Sequence, residues 1–349
     1  MRGIAILALV VAASLPIRAA DPPAPLADAD YWRIVSEFSE RAGTFQSDNL
    51  LSNERWLQHV IPDLVAKAAK ARANRVYVGV GPEQNFTYIA ALKPSMAFIV
   101  DIRRGNFDLH LMYKALFELS ADRAEFVSRL FCRPRPAGLT AASTIDEIFA
   151  AYEKVESSDT LYSRNMRAIV NLLTKTHGFL LSSADILRLQ HIFNAIYVYG
   201  PGIQYSTTQT AGRRLTREPT YAELMRATDR GGFQHSYLAT EERFAYVKAF
   251  QAENRLIPLM GDFAGPKALA SVGRYLTGSG ATVSAFYLSN VEEYLRQDGR
   301  LEAFCGNAAT LPVDEASVFI RSLRNGTPDF GFELNSELGP MAAQIAECK

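Results

Sequence analysis

The chain is expected to fold as an α/β protein with a Rossmann-like, mostly parallel sheet, a helical N-terminal segment and a large helical insertion. Three observations lead there. The β-rich run V-Y-V-G-V-G at residues 76–81 breaks into two glycines, and a second apolar run, M-A-F-I-V-D, follows at 96–101. About 150 residues of helical pattern come next. Apolar strand patterns then return between 255 and 323. Strand–helix–strand with a short crossover is the unit from which parallel sheets are built.

In chain order, residues 29–71 read as helical. Tyr31, Ile34, Val35 and Phe38 recur at helical spacing, as do Trp56, Val60, Leu64 and Ala68, with a turn region at 47–53 between the sets. Residues 75–79 form the first expected strand, 86–92 a helix and 96–100 the second strand. Pro94 falls in the connecting turn, where its missing N–H does no harm. Residues 106–120 continue as a helix and open the expected insertion, about 106–254. Within it, 145–152, 161–175 and 183–199 are helices, the last with a serine cap and Asp185 in its first turn. Breaks fall at Arg133-Pro134-Arg135-Pro136, at Gly200-Pro201-Gly202 and at Arg230-Gly231-Gly232. Residues 255–260 are a strand, 266–276 a helix with Pro266 at its start, 281–288 a strand, 291–296 a short helix and 317–323 a last strand.

The first twenty residues, MRGIAILALVVAASLPIRAA, combine Arg2, an apolar run over 4–15 and small residues at 19 and 20. This is the pattern of a secretory signal peptide, shorter in its apolar run than the ~20 residues a spanning helix needs. The alternative is an uncleaved anchor helix. Residues 21–28 read as a flexible mature N-terminus, and export to the periplasm or the extracellular space is the expected location. No later stretch is apolar enough to span a membrane. Lys plus Arg equals Asp plus Glu at 37 each, which gives no overall pull toward nucleic acid or anionic lipid. Hydrophobic residues at 48% supply a sizeable core. Of Cys132, Cys305 and Cys348, an odd number, the last two are the expected disulfide pair in an exported chain; free buried thiols are the alternative.

Glycines after a strand allow a ligand to approach backbone N–H groups closely. Gly79 and Gly81 fit the start of the dinucleotide fingerprint G-x-G-x-x-G, but Gln84 occupies its third glycine position. The stretch Val78-Gly79-Val80-Gly81, with Asp101 twenty residues after Gly81, resembles instead the cofactor loop and ribose-binding acid of class I S-adenosylmethionine-dependent methyltransferases. Gly261-Asp262 resembles that family's acid near the adenine. Asn290 falls where the fourth strand of such enzymes ends, at the edge of their reaction site. The run V-G-V-G-P-E-Q-N-F-T-Y-I-A-A-L-K-P is similar to uncharacterised bacterial envelope proteins of that fold. The resemblance covers about 75–105 and 255–325. It implies S-adenosylmethionine as cofactor, Gly79, Gly81, Glu83, Asn85, Asp101 and Asp262 as its binding residues, and Asn290 on the acceptor side. Two positions depart from the family pattern: Tyr77 stands where the loop's acid is usual, and Glu83 where its third glycine is usual.

Other constellations are weaker. Neither H-x-x-x-H nor H-E-x-x-H occurs, so no metal ligands are identified, and neither G-x-S-x-G nor a P-loop is present. His191 reads as a core or edge residue of a helix. Arg103-Arg104 is either a solvated turn pairing with nearby acids or a rim for an anionic ligand. Arg129, Arg133 and Arg135 read as a surface cluster. Tyr197, Tyr199 and Tyr205 either pack under the insertion or wall a pocket. Glu83, Gln84 and Asn85 either cap the following helix or face a ligand at the strand ends. S-adenosylmethionine is made and held in the cytosol, which an exported enzyme does not reach. The expected function is therefore an exported, methyltransferase-like protein that binds a ligand or partner without catalysis; the alternative is an active methyltransferase, and oligomeric state is not legible.

Overall fold

The computed structural model describes residues 24–71, 74–205, 218–327 and 331–348, and the expected signal peptide lies outside them. Two helices come first, α1 (Asp28–Phe38) and α2 (Ile61–Ala68). The first α/β unit is β1 (Arg75–Gly79), α3 (Gln84–Leu92) and β2 (Met96–Asp101). Seven helices follow: α4 (Arg104–Leu119), α5 (Arg123–Phe131), α6 (Ile145–Glu153), α7 (Asp159–Asn171), α8 (Ser183–Tyr199), α9 (Tyr221–Arg226) and α10 (Glu241–Ala252). The α/β pattern resumes with β3 (Leu256–Met260), α11 (Ala268–Gly278), β4 (Thr282–Ser289), α12 (Val291–Gln297) and α13 (Leu301–Ala308). It closes with β5 (Val318–Thr327), β6 (Gly331–Pro340) and α14 (Met341–Glu347).

The six strands form one sheet in the order β3-β2-β1-β4-β5-β6, parallel except for β6, which runs antiparallel to β5. This is a Rossmann-like α/β fold. Val78 sits opposite Phe98 on one side and Phe286 on the other, so β1 is central. β2 is buried along its whole length, as a strand covered on both faces must be. Its apolar run therefore shows no alternation. Among the described residues no helix is long and apolar enough to cross a membrane.

The expected insertion is realised as α4 to α10, and α4 is its spine. Twelve consecutive residues of α4, Asn106 to Phe117, are buried, because the helix is covered on both sides. Ser182 caps α8 in a reciprocal capping box with Asp185. Residues 24–27 have no helix or strand, yet Leu26 is tied to the residues after α10 by its N–H on the Glu253 carbonyl (3.1 Å) and its carbonyl on Asn254 Nδ2 (2.9 Å). The structure adds elements that the sequence reading did not place: α5, α9 and α10 within the insertion, and α13, β6 and α14 after it. The Cys305–Cys348 disulfide joins α13 to the residue after α14, and Cys132 is buried and free.

Between α1 and α2 the chain crosses the carboxyl ends of the strands. Glu40 N–H donates to the Met260 carbonyl (2.8 Å) and Gly43 N–H to the Ile102 carbonyl (2.7 Å). This crossing puts residues 44–54 over the sheet end where ligands sit in open α/β sheets.

Candidate functional site

The strand order reverses between β1 and β4, and the loops after these strands diverge there. A cleft of about 640 Å³ opens at that point, within the range of small-molecule sites. Residues 44–54 form one wall. Gly81, Asp101, Asp262 and Asn290, each from the end of a different strand, lie on the others. Gly79, Glu83 and Asn85 do not line the cleft; they build the loop beneath it.

That loop is organised by Asn85. Its Oδ1 accepts from Tyr77 Oη (2.8 Å), and its Nδ2 is shared among the carbonyls of Val80, Gly81 and Pro82 (2.9, 3.1 and 2.7 Å). A Cβ on Gly79 would stand 2.1 Å from Asn85 Oδ1, so Gly79 is needed to admit the asparagine. Gly81 adopts φ 77°, which favours glycine. His110 Nε2 donates to the Gly81 carbonyl (2.9 Å), and burial pushes the imidazole down to about 4, so it is neutral. The loop carbonyls are thus satisfied from within. Tyr77, which departs from the expected acid, is part of this arrangement.

Glu83 turns away from the cleft and is fully buried. Its Oε1 accepts from Ser52 N–H (3.2 Å), and burial raises its carboxyl to about 8. Of the triplet at the start of α3, Gln84 is the residue on the cleft, donating to Tyr287 Oη (3.3 Å). None of the three makes a side-chain cap for α3.

Asp101 ends β2 on the cleft wall but is already engaged. Its Oδ1 accepts from Arg103 N–H (2.9 Å) and Nε (3.0 Å), and its Oδ2 from Arg103 Nη2 (2.8 Å). Arg103 also donates from Nη1 to the Asp48 carbonyl (2.5 Å), pinning the 44–54 wall to β2. Both partners are buried, so the expected solvated turn is corrected to a buried pair. A carboxylate offers about four acceptor positions, so Asp101 retains one for a ligand hydroxyl. Arg104 instead reaches Asp185 on α8 (2.9 Å). Asp262 pairs with Arg300, and its Oδ1 accepts from Ala264 N–H (2.8 Å). Tyr205 lines the cleft and accepts Leu50 N–H at its carbonyl (2.9 Å). Tyr197 packs on Tyr162 away from it, and Tyr199 and His191 are exposed on α8.

The sequence reading missed Glu54. This residue is 1% exposed on the cleft wall. Its Oε1 accepts from Ser289 Oγ (2.6 Å) and from Tyr287 Oη. Burial raises its carboxyl, opposed by the Ser289, Ser322 and Tyr287 hydroxyls. Ser289 holds a left-handed backbone, φ 51°, uncommon for a non-glycine residue. The only sequence signal was a carboxylate directly after an expected turn; its partners lie more than 230 positions away. Among the described residues no group of three or more His, Cys, Asp or Glu is placed to hold a metal ion.

The arrangement supplies glycine-loop backbone, an acceptor for a hydroxyl at Asp101, aromatic surface at Phe45, Tyr205 and Tyr294, and a buried carboxyl at Glu54. It suits a small ligand with both polar and flat apolar parts. The family model described as "Domain of unknown function (DUF7790)" matches residues 50–185 and 201–340. No curated protein matches the chain.

Proposed function

The chain belongs to the DUF7790 family, a domain of unknown function whose match takes in all six strands of this sheet, and we propose that this member binds a small adenosyl-type ligand in the cleft at the strand ends. The observation that carries the reading is the meeting of Gly81, Asp101, Asp262 and Asn290 in one cleft at the reversal of strand order. The likeness to class I methyltransferases supports the adenosyl class: Asp101 takes a ribose hydroxyl, and Asp262 stands on the adenine side.

Binding without turnover is the role proposed. Export belongs to the same reading. It rests on the signal-like first twenty residues and is supported by the Cys305–Cys348 disulfide, a bond that persists in oxidising compartments. An exported protein is separated from the cytosolic methyl donor. A reporter fused to the C-terminus of the chain tests export, and activity confined to the cytosol would refute it. The methyl-transfer reading is favoured by one observation: Ser289 and Asn290 line the β4 side of the cleft, where an acceptor would sit beside the cofactor.

Calorimetric titration with S-adenosylmethionine and S-adenosylhomocysteine tests the proposal. Saturable binding is expected, weakened by Asp101→Asn by about tenfold through loss of a charge-assisted hydrogen bond. Asparagine is preferred to alanine because it keeps the side-chain shape and one oxygen acceptor for the buried Arg103, whose counter-charge both variants remove. No heat at millimolar ligand would refute the adenosyl reading. Release of S-adenosylhomocysteine from bound S-adenosylmethionine, with an extract supplied as acceptor, would replace binding by catalysis.

A further inference from the structure

Among the described residues, charge pairing within the cleft leaves one buried carboxyl without a cation. The charged side chains on its walls are Glu54, Asp101, Arg103, Asp262, Asp298, Arg300 and Arg324. Arg103 is committed to Asp101 and Arg300 to Asp262. Arg324 lies 4.0 Å from Glu293, outside the cleft wall. Asp298 is exposed, so water solvates it. Glu54 is the exception. It is buried, and its observed hydrogen-bond donors, Tyr287 and Ser289, are neutral. Its Oε2 is buried without a hydrogen bond of normal geometry among the described residues, and the Ser322 hydroxyl beside it, neutral as well, is close enough to favour the charged form.

A buried carboxyl is costly unless it is paired or protonated. The chain surrounds this one with hydroxyls that favour its charged form, yet supplies it no cation among the described residues. A buried acid that serves packing alone needs no place on a cleft wall; Glu83, also buried, is held by a backbone N–H behind the loop. The difference between the two acids is access to the ligand space.

We infer that Glu54 is a specificity-determining residue which receives a cationic group of the ligand, an ammonium or a sulfonium, inside the cleft. The inference rests on the adenosyl reading above and deepens it. A cation beside Glu54 would hold the carboxylate ionised and satisfy the cleft's unmatched charge. A neutral ligand of the same shape would leave the carboxyl as it is.

Three probes separate the possibilities. S-adenosylmethionine carries a sulfonium and an ammonium; S-adenosylhomocysteine retains only the ammonium; 5′-methylthioadenosine has neither. Their dissociation constants are measured by calorimetry on the full chain and on Glu54→Gln, with thermal melting to verify that the variant folds. If the sulfonium is the group received, S-adenosylmethionine binds about tenfold or more tightly than the other two, and Glu54→Gln abolishes that advantage. If the ammonium is received, the first two bind alike and both lose affinity in the variant. In either case 5′-methylthioadenosine binds both proteins equally. Should Glu54→Gln fail to fold, Tyr287→Phe and Ser289→Ala, which leave Glu54 in place with fewer donors, must preserve the preference for the charged probes. Equal binding of all three probes, unchanged by Glu54→Gln, overturns this inference and leaves the adenosyl reading standing. No binding by any probe overturns both.

Discussion

The contact between Gly79 and Asn85 shows how a glycine that resembles a ligand-contacting residue comes to serve the loop itself. The added methyl of Gly79→Ala would meet Asn85 Oδ1 at 2.1 Å and the Tyr77 ring at 2.9 Å. Gly79→Ala is expected to cost about 1–3 kcal/mol by overpacking. Asn85→Ala leaves the buried Tyr77 hydroxyl and three loop carbonyls short of a partner, at about 1–3 kcal/mol. The double variant should cost less than the sum, because removing Asn85 relieves the nearest clash. Urea denaturation of the four proteins checks this. Strict additivity would mean that the two residues do not restrain each other. The same pair explains what was legible here. The sequence exposed the loop through its two glycines and its distant acid, because those depend on local spacing. It did not show that Asn85 would take the loop carbonyls, or that Arg103 would fold back onto Asp101, because both follow from side-chain direction in three dimensions.

Strands β1 to β5 were legible because each is an apolar run bounded by turn residues, and buried parallel strands leave that mark. β6 was not. Its sequence alternates Leu334, Ser336 and Leu338 with Glu333, Asn335 and Glu337, residue types depleted in strands, and its pairing is supplied by β5 alone. α13 was hidden by Gly306 and Asn307, both poor helix formers. Glu54 was hidden for another reason: burial of an acid by β4 is a long-range event with no periodicity in the sequence. What holds the late elements in place is covalent as well as packed. The Cys305–Cys348 bond closes a segment of sequence separation 43 that contains β5 and β6. Chain-entropy reasoning puts its contribution at about 2–4 kcal/mol. Cys305→Ser should therefore lower Tm by several degrees and make it insensitive to dithiothreitol, while the unaltered protein loses a similar amount on reduction. An unaltered Tm on reduction would show that packing of α14 and β6 suffices without the bond.

At the scale of the whole molecule, buried titratable groups set how stability depends on pH. Glu83, pushed up to about 8 by burial, is the strongest case among the carboxyls around the cleft. Its folded value lies above its unfolded one near 4.3, so its favourable contribution is complete below about pH 4 and is lost as pH rises toward 8. Asp108, raised to about 7 by burial despite Arg188 and Arg104, acts in the same direction up to about neutrality. His177 does so as well: hydrogen bonding to Glu118 raises it, so the stability it lends below about pH 6.5 is lost as pH climbs through its folded value. His110 opposes them. Burial lowers it to about 4, so it removes stability as pH falls from about 6.5 toward 4. Between these values His110 and Glu83 act against each other, and the net slope from the two is small. Above about pH 6.5 His110 no longer contributes, and the remaining groups all reduce stability as pH rises. Unfolding free energy is thus expected to fall between about pH 6.5 and pH 8, with Glu83 alone accounting for about 2 kcal/mol at 1.36 kcal/mol per pH unit. Glu83→Gln, which retains an acceptor for Ser52 N–H and carries no charge, should flatten that decline and exceed the unaltered protein in stability at pH 8. His177→Gln should remove a smaller, separate part of the slope, since the two sites share no partner. Urea titrations at half-unit pH steps on the three proteins decide the matter. A parallel decline in Glu83→Gln would show that Glu83 is ionised in the fold at neutral pH, and the charge accounting that singles out Glu54 would then have to include both acids.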